Sequence, residues 1–158
     1  MPTSGTMHGL NNVSTQLWDL LEPKRLFAAR GEDGRYSEHH HLAQMIAIMG
    51  PPPLDFIHRS EKSRLFWDGQ GKRTRLRLCT LRRLIWWPGN WIGAVPIPEV
   101  SLDTAEERLE GDEKTSFLSF MRKTLRWRPE DREDLNHVYM DEWLLADLIE
   151  SGHVARTQ

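Results

Sequence analysis

The sequence predicts an all-α fold. In most segments apolar residues recur three or four positions apart, which is the spacing of one face of an α-helix. Proline and glycine separate these segments, and the alternation typical of strands is scarce outside residues 72–89. With 158 residues, 39% of them hydrophobic, the chain has room for one domain.

The first half predicts two helices. Residues 1–9 are small and polar and are expected to form a disordered tail, after which a single domain, 10–158, begins. Residues 10–21 predict a helix that ends before Pro23. Its apolar stripe consists of Val13, Leu17, Leu20 and Leu21. After a loop at 31–34, a second helix is expected from Glu38, with Leu42, Met45, Ile46 and Met49 on one face and a stop at Gly50-Pro51-Pro52-Pro53.

The second half predicts three more helical segments. Asp103 and Glu106 have the spacing of a capping box, which would begin a helix. A strongly apolar face follows, made of Phe117, Phe120, Met121 and Leu125. Pro129 suits the first turn of a helix that ends near His137. The last amphipathic turns contain Leu144, Leu145, Leu148 and Ile149, and Gly152 closes them.

Residues 72–89 form a basic and aromatic insertion. No acidic residue occurs between Asp68 and Glu99, and the insertion carries Lys72, Arg73, Arg75, Arg77, Arg82 and Arg83, followed by Trp86 and Trp87. Cations that pair with phosphate or carboxylate, next to aromatic rings that stack, are the ingredients of a binding segment. We therefore take these eight residues as candidate contacts for an acidic partner, against the alternative of a non-specific basic run.

Composition excludes several classes of protein. A net charge of −2 makes a dedicated nucleic-acid binder improbable, because such domains carry a basic excess. No apolar run reaches the ~18 residues of a membrane span, and the N-terminus has no signal-peptide pattern. A single cysteine, Cys79, fits a reducing compartment and predicts an intracellular protein.

Three candidate motifs lack the spacing or the residues that their chemistry requires. His39, His40 and His41 point about 100° apart on a helix, so they cannot converge on one metal ion. Gly69-Gln70-Gly71-Lys72 lacks the first glycine and the Ser or Thr of a phosphate-binding loop. Cys79 has no neighbouring histidine in sequence to act as its base.

Several blocks resemble the large lobe of eukaryotic protein kinases. Residues 111–125, Trp127-Arg128-Pro129-Glu130-Asp131-Arg132 and Met140-Asp141-Glu142-Trp143-Leu144 resemble the end of a kinase domain. Residues 41–53 are similar to the helix and Gly-Pro stop of the group that contains the SR-protein kinases, and 18–27 resemble the end of the long central helix. The order of the blocks points to a fungal-type, SR-protein-kinase-like Ser/Thr kinase.

The resemblance implies a partial kinase large-lobe subdomain without its catalytic parts. Such kinases hold ATP and magnesium with a Gly-rich loop, a strand lysine, and His-Arg-Asp and Asp-Phe-Gly motifs. None of these occurs here, so we predict no catalytic, cofactor-binding or metal-binding residue and no cofactor for this chain. Trp127, Pro129, Arg132 and Trp143 are its structural family motif.

Departures from the family pattern refine this expectation. Arg132 matches the arginine that pairs with the Ala-Pro-Glu glutamate, which is absent, so Arg132 should be exposed or paired differently. The acidic positions that dock arginine-rich substrates are occupied by His40 and Ala47. Residues 72–89 interrupt a family match that would join Gly71 to Asn90, as a retained intron would.

Three functions follow. The first is an inactive, truncated kinase-like domain, and the second is a helical interaction module that binds an acidic partner or a kinase lobe. The third is a piece of an active ATP-dependent kinase.

Overall fold

A computed structural model describes residues 9–68 and 90–153 of the protein. Its helices and strands are, in chain order, α1 (Gly9–Leu21), α2 (Glu38–Met49), α3 (Leu54–Ile57), a 3-10 helix (Glu61–Leu65), β1 (Trp67–Asp68), β2 (Asn90–Trp91), α4 (Leu102–Ala105), α5 (Gly111–Thr124), a second 3-10 helix (Pro129–Asp131), α6 (Leu135–Tyr139) and α7 (Ala146–Glu150). The described part of the chain is mostly helical, in line with the predicted class.

Among the described residues, the strands form one short ladder, and Arg30 and Tyr36 add an isolated antiparallel bridge. β1 and β2 pair antiparallel, with Trp67 opposite Trp91 and Asp68 opposite Asn90. The pair therefore brackets residues 69–89. These residues, which include the predicted insertion 72–89, lie outside the described residues. Residues 1–8 also lie outside them, and Gly9, the last residue of the predicted tail, is the first of α1.

The chain divides into two compact units. Unit 1 consists of residues 1–28 and 100–158, and unit 2 consists of residues 29–99. Within the described residues of unit 1, α1 packs against α5. The assignment of 10–158 to a single incomplete domain remains a prediction.

The face of α5 predicted from its apolar spacing forms the core of unit 1. Phe117, Phe120 and Met121 are 0%, 1% and 0% exposed. Acidic residues occupy the first turn of this helix and basic residues the last, which complements the helix dipole. The spacing of apolar residues and the charges at its ends therefore favour the same helix.

The buried face of α1 differs from the predicted stripe. Leu20 is 79% exposed, whereas Trp18 and Ser14 are each 1% exposed. The Trp18 ring stacks on Phe117 with centroids 5.8 Å apart, and its Nε1 donates to the main-chain oxygen of Lys24. The position of α5 selects the Trp18 side of the helix, and the prediction for Leu20 was wrong.

The capping box predicted for α4 is shifted by two residues. Ser101, not Asp103, is the N-cap: its Oγ accepts from Thr104 N, and Thr104 Oγ1 accepts from Ser101 N. Asp103 instead lies in the first turn, where it forms an ion pair with Arg122 of α5. Serine takes the cap because the helix begins at Leu102, whose side chain is buried.

The C-terminal part of unit 1 contains shorter helical segments than the sequence predicts. Pro129 begins a 3-10 helix that ends at Asp131, so the helix expected to continue to His137 is interrupted before α6. His137 lies within α6, and Asp134 accepts a bond from its main-chain N. Gly152 follows α7 with a φ of 76°, as expected for a residue that closes a helix.

In unit 2, α2 has the predicted bounds. Ser37 caps it by accepting from His40 N, and Gly50 ends it with a φ of 76°, a conformation that glycine adopts without strain. Its buried residues are Ala43 and Ile46. The other predicted face residues, Leu42, Met45 and Met49, are half-buried.

A cluster of aromatic rings forms beside the ladder of unit 2. Trp91 stacks on Phe66 and meets Trp67 edge-on, with centroids 6.1 and 5.6 Å apart. The indole of Trp91 also covers Gly93 and donates from Nε1 to Val95 O at 2.8 Å. In the described part of the chain no helix has the length and apolar character needed to cross a membrane.

Candidate functional site

The four residues of the predicted family motif lie in the chain that follows α5. Trp127 is buried, Pro129 opens the 3-10 helix, and Arg132 and Trp143 are half-buried. The Trp143 ring lies 4.8 Å from Phe117 and 5.2 Å from Phe120 between centroids. Trp143 therefore packs onto the unit 1 core.

Arg132 is paired differently, which was one of its two expected states. Its Nε donates to the main-chain oxygen of Arg126 at 3.0 Å. Among the residues that the structure describes, no carboxylate lies within ion-pair distance of its guanidinium. Burial lowers the pKa of Arg132, partly offset by the charge of Glu130. One guanidinium nitrogen of Arg132 therefore donates a hydrogen bond to a backbone carbonyl.

A second feature of unit 1 was not predicted. Glu22, just after α1, and Glu106, just after α4, are 6% and 2% exposed. Burial, and then the neighbouring Glu106 carboxylate, raise the pKa of Glu22. Burial alone would raise the pKa of Glu106 too, but the N–H groups of Leu109 and Arg108 and the Lys114 ammonium lower it to about 2. No local pattern joins these two glutamates, because they are far apart in the sequence.

Unit 2 contains a half-open depression of about 720 Å³ beside α2. Glu32 and Asp33 lie on its lining and are exposed. The other lining residues are His40, Ala43, Gln44, Ala94, Val95, Pro96 and Pro98. Carboxylates beside a largely apolar floor can receive a cationic side chain with an aliphatic stem. From sequence, Glu32 and Asp33 were expected only to form part of a loop.

The three consecutive histidines point to separate partners, as their spacing predicts. His39 Nδ1 accepts from Ala94 N at 3.1 Å, and His40 Nδ1 lies 3.0 Å from Ser37 Oγ. His41 Nδ1 lies 3.1 Å from the Tyr36 hydroxyl, and burial lowers its pKa. Within 9–68 and 90–153, no three His, Cys, Asp or Glu side chains are arranged to hold a metal ion.

The motifs with which protein kinases hold ATP and magnesium do not occur in the sequence. The sequence has no glycine-rich phosphate loop, and the described residues have no cluster of metal-ligating side chains. The candidate partner contacts Lys72, Arg73, Arg75, Arg77, Arg82, Arg83, Trp86 and Trp87 lie outside the described residues. Their role remains a prediction.

Comparison with known proteins relates the chain to fungal kinases. It is 40% identical over 135 residues, 85% of its length, to the Serine/threonine protein kinases AFUB_078980 and AFUA_5G14870 of two Aspergillus fumigatus strains, and covers 30% of each. It is 25% identical over 120 residues to the Serine/threonine-protein kinase ppk5 of Schizosaccharomyces pombe, of which it covers 13%.

No protein-family model and no solved structure matches the chain significantly. The chain spans less than a third of the curated relatives that it matches. It is therefore homologous to fungal Ser/Thr protein kinases over a region that makes up a small part of those proteins.

Proposed function

We propose that this chain forms a helical part of the large lobe of an SR-protein-kinase-like Ser/Thr kinase and does not transfer phosphate by itself. The observation that carries the proposal is the 40% identity to two fungal Ser/Thr kinases over 85% of the chain. It is supported by the burial of Trp127 and by the packing of Trp143 on Phe117 and Phe120 of α5. Such a protein acts inside the cell.

The lack of catalysis follows from what phosphoryl transfer requires. The enzyme positions ATP and magnesium and neutralises charge on the transferred group, so it depends on the loops that hold them. No His-Arg-Asp, Asp-Phe-Gly or Ala-Pro-Glu occurs in the 158 residues. In an active kinase that contains this region, those motifs would be supplied by other sequence.

The test is a phosphorylation assay on the purified 158-residue protein. We expect no phosphopeptide from an Arg-Ser peptide with magnesium and ATP, under conditions in which an active Ser/Thr kinase labels the same peptide. Turnover that a point mutation in this chain destroys would refute the proposal. A longer transcript that encodes His-Arg-Asp and Asp-Phe-Gly in frame would assign the chain to an active kinase.

We propose substrate docking as the contribution of unit 2. The acidic docking positions of SR-protein kinases are occupied by His40 and Ala47 here, but Glu32 and Asp33 place two exposed carboxylates on the depression that His40 lines. Arginine side chains suit this combination, because their stems can cover apolar surface while their guanidinium groups meet carboxylates.

An Arg-Ser peptide provides the probe for docking. Its binding, followed by fluorescence anisotropy, should weaken in Glu32→Gln with Asp33→Asn and become less dependent on salt. The matched control is Glu61→Gln, which removes an exposed carboxylate of the same unit away from the depression. Equal affinities for the three proteins would contradict docking at this place.

A second candidate function is that of a helical interaction module. Its support is the basic run of residues 72–89 with its two tryptophans. Deleting residues 72–89 should abolish binding to an acidic protein partner, and unchanged affinity would eliminate this function. Transcript reads that join Gly71 directly to Asn90 would instead mark the segment as a retained intron.

A further inference from the structure

Two buried carboxyl groups face each other in unit 1, where the end of α1 meets the segment between α4 and α5. Glu22 N donates to Trp18 O at 2.8 Å, so Glu22 continues the last turn of α1. Glu106 begins the segment that leads to α5. Neither side chain takes part in the proposed kinase or docking functions.

One oxygen of each carboxyl group has no hydrogen-bond donor. Glu22 Oε1 and Glu106 Oε2 are both buried, and neither accepts a hydrogen bond from an N–H or O–H group. Lys114 Nζ lies 2.9 Å from Glu106 Oε2 but is not aligned for a hydrogen bond. Buried oxygens left in this state are costly.

A single shared proton would let the two carboxyl groups form a hydrogen bond with each other. Arg108 Nη1 donates to Leu21 O and Lys24 pairs with Glu107, so the chain at Glu22 lies against the chain at Glu106, where the two carboxyl groups interact. Two carboxylates can only accept, whereas a protonated carboxyl group carries an O–H donor. Proton sharing is also the usual outcome when like charges meet at a buried site, because both groups cannot ionise there at low cost.

The surroundings assign the charge to Glu106. Its Oε1 accepts from Arg108 N at 2.7 Å and also from Leu109 N, and the Lys114 ammonium balances its charge. Lys114 also donates to the main-chain oxygen of Glu106 at 2.8 Å. Glu22 has a weaker set, a main-chain N–H of Glu107 together with the charge of Arg108, so Glu22 is the better place for the proton.

We propose that Glu22 and Glu106 share one proton in the folded protein, and that this proton latches the end of α1 to the segment before α5. The other charged groups nearby are Arg108, whose Nη1 donates to Leu21 O, and Lys24, which pairs with Glu107 at the surface. Arg108 favours the ionised form of Glu22 and therefore opposes the latch. Losing the proton places a second negative charge in the buried site.

The sign of the pH dependence follows from the two groups. The pKa of Glu22 is raised above the ordinary 4.5, so its contribution to stability is complete below 4.5 and is lost as the pH rises through the folded-state pKa. The pKa of Glu106 is lowered to about 2, so its contribution is lost as the pH falls from 4.5 towards 2. Together the pair stabilises the fold most near the pH at which exactly one proton is bound to it.

The experiment compares the pH dependence of urea unfolding in the wild type, Glu22→Gln and Glu107→Gln. Glutamine keeps a donor at position 22 at every pH, while the control removes an exposed neighbouring carboxylate. The ratio of the wild-type unfolding constant to that of Glu22→Gln should rise above pH 4.5, by up to about tenfold per pH unit for one proton, and then level off. The ratio of the wild-type unfolding constant to that of Glu107→Gln should not change with pH. A ratio to Glu22→Gln that is equally independent of pH would overturn the proposal.

A direct titration keeps the proposal falsifiable if Glu22→Gln does not fold. The carboxyl carbons of glutamate in the full wild-type chain, observed by NMR, should include an assigned Glu22 signal that titrates above 4.5. A Glu22 signal that titrates at or below 4.5 would refute the shared proton.

Discussion

Replacing Phe117 by alanine tests whether α1, α5 and Trp143 share one core. Phe117 is 0% exposed, and its ring contacts the rings of both Trp18 and Trp143. Truncating a buried phenylalanine costs about 3–5 kcal/mol, and each aromatic pair adds roughly 0.5–1.5 kcal/mol to what burial alone provides. We therefore expect Phe117→Ala to lower the free energy of unfolding by about 4 kcal/mol, from a typical total of about 5–15 kcal/mol.

Urea unfolding followed by tryptophan fluorescence measures this loss. With a dependence on urea of about 2 kcal/mol per molar, the midpoint should fall by about 2 M. Ser116→Ala is the matched control, because it changes the adjacent exposed residue of the same helix and should shift stability by no more than about 0.5 kcal/mol. A Phe117→Ala midpoint indistinguishable from that of Ser116→Ala would refute the described packing of unit 1.

Two further substitutions probe local geometry. In unit 2, a Cβ at Gly93 would overlap Cζ2 of Trp91, so Gly93→Ala should displace the indole and cost about 1–3 kcal/mol in thermal unfolding, with a shifted tryptophan emission. Gly34→Ala, at an open position with a φ of 73°, should cost about 1 kcal/mol without any emission change, and equal emission spectra would contradict the Trp91 placement. In unit 1, Ser101→Ala removes the N-cap of α4 and should cost about 1 kcal/mol by urea unfolding. Ser119→Ala, on the exposed side of α5, should be nearly neutral, so equal losses in the two serine variants would disprove the cap.

The helices themselves were largely predictable from local pattern. α5 repeats its apolar residues at helical spacing, and α2 has a serine cap before it and a Gly-Pro stop after it. These signals act within a few residues of each other along the chain, so no knowledge of distant contacts is needed to read them. The behaviour of the three histidines of α2 followed from helix geometry in the same way.

The errors have a common physical origin in alternatives that are locally equivalent. Leu20 and Trp18 are both apolar and lie on different sides of α1, and only the position of Phe117 decides which side is buried. Ser101 and Asp103 are both good N-cap residues, and the burial of Leu102 sets where α4 begins. A local pattern cannot rank such alternatives, because the free-energy difference between them comes from a distant partner.

The candidate sites also differ in how far the sequence predicts them. The family-motif residues form blocks of neighbouring sequence and could be recognised there. Folding alone brings together Glu22 with Glu106, and His40 with Glu32 and Asp33. Helix periodicity and the kinase-like blocks are written in neighbouring residues, and they established the helical class and the relationship to Ser/Thr kinases. Which faces are covered, and which carboxyl groups must share a buried space, depends on surfaces that meet only in the folded chain, since burial is a property of both partners.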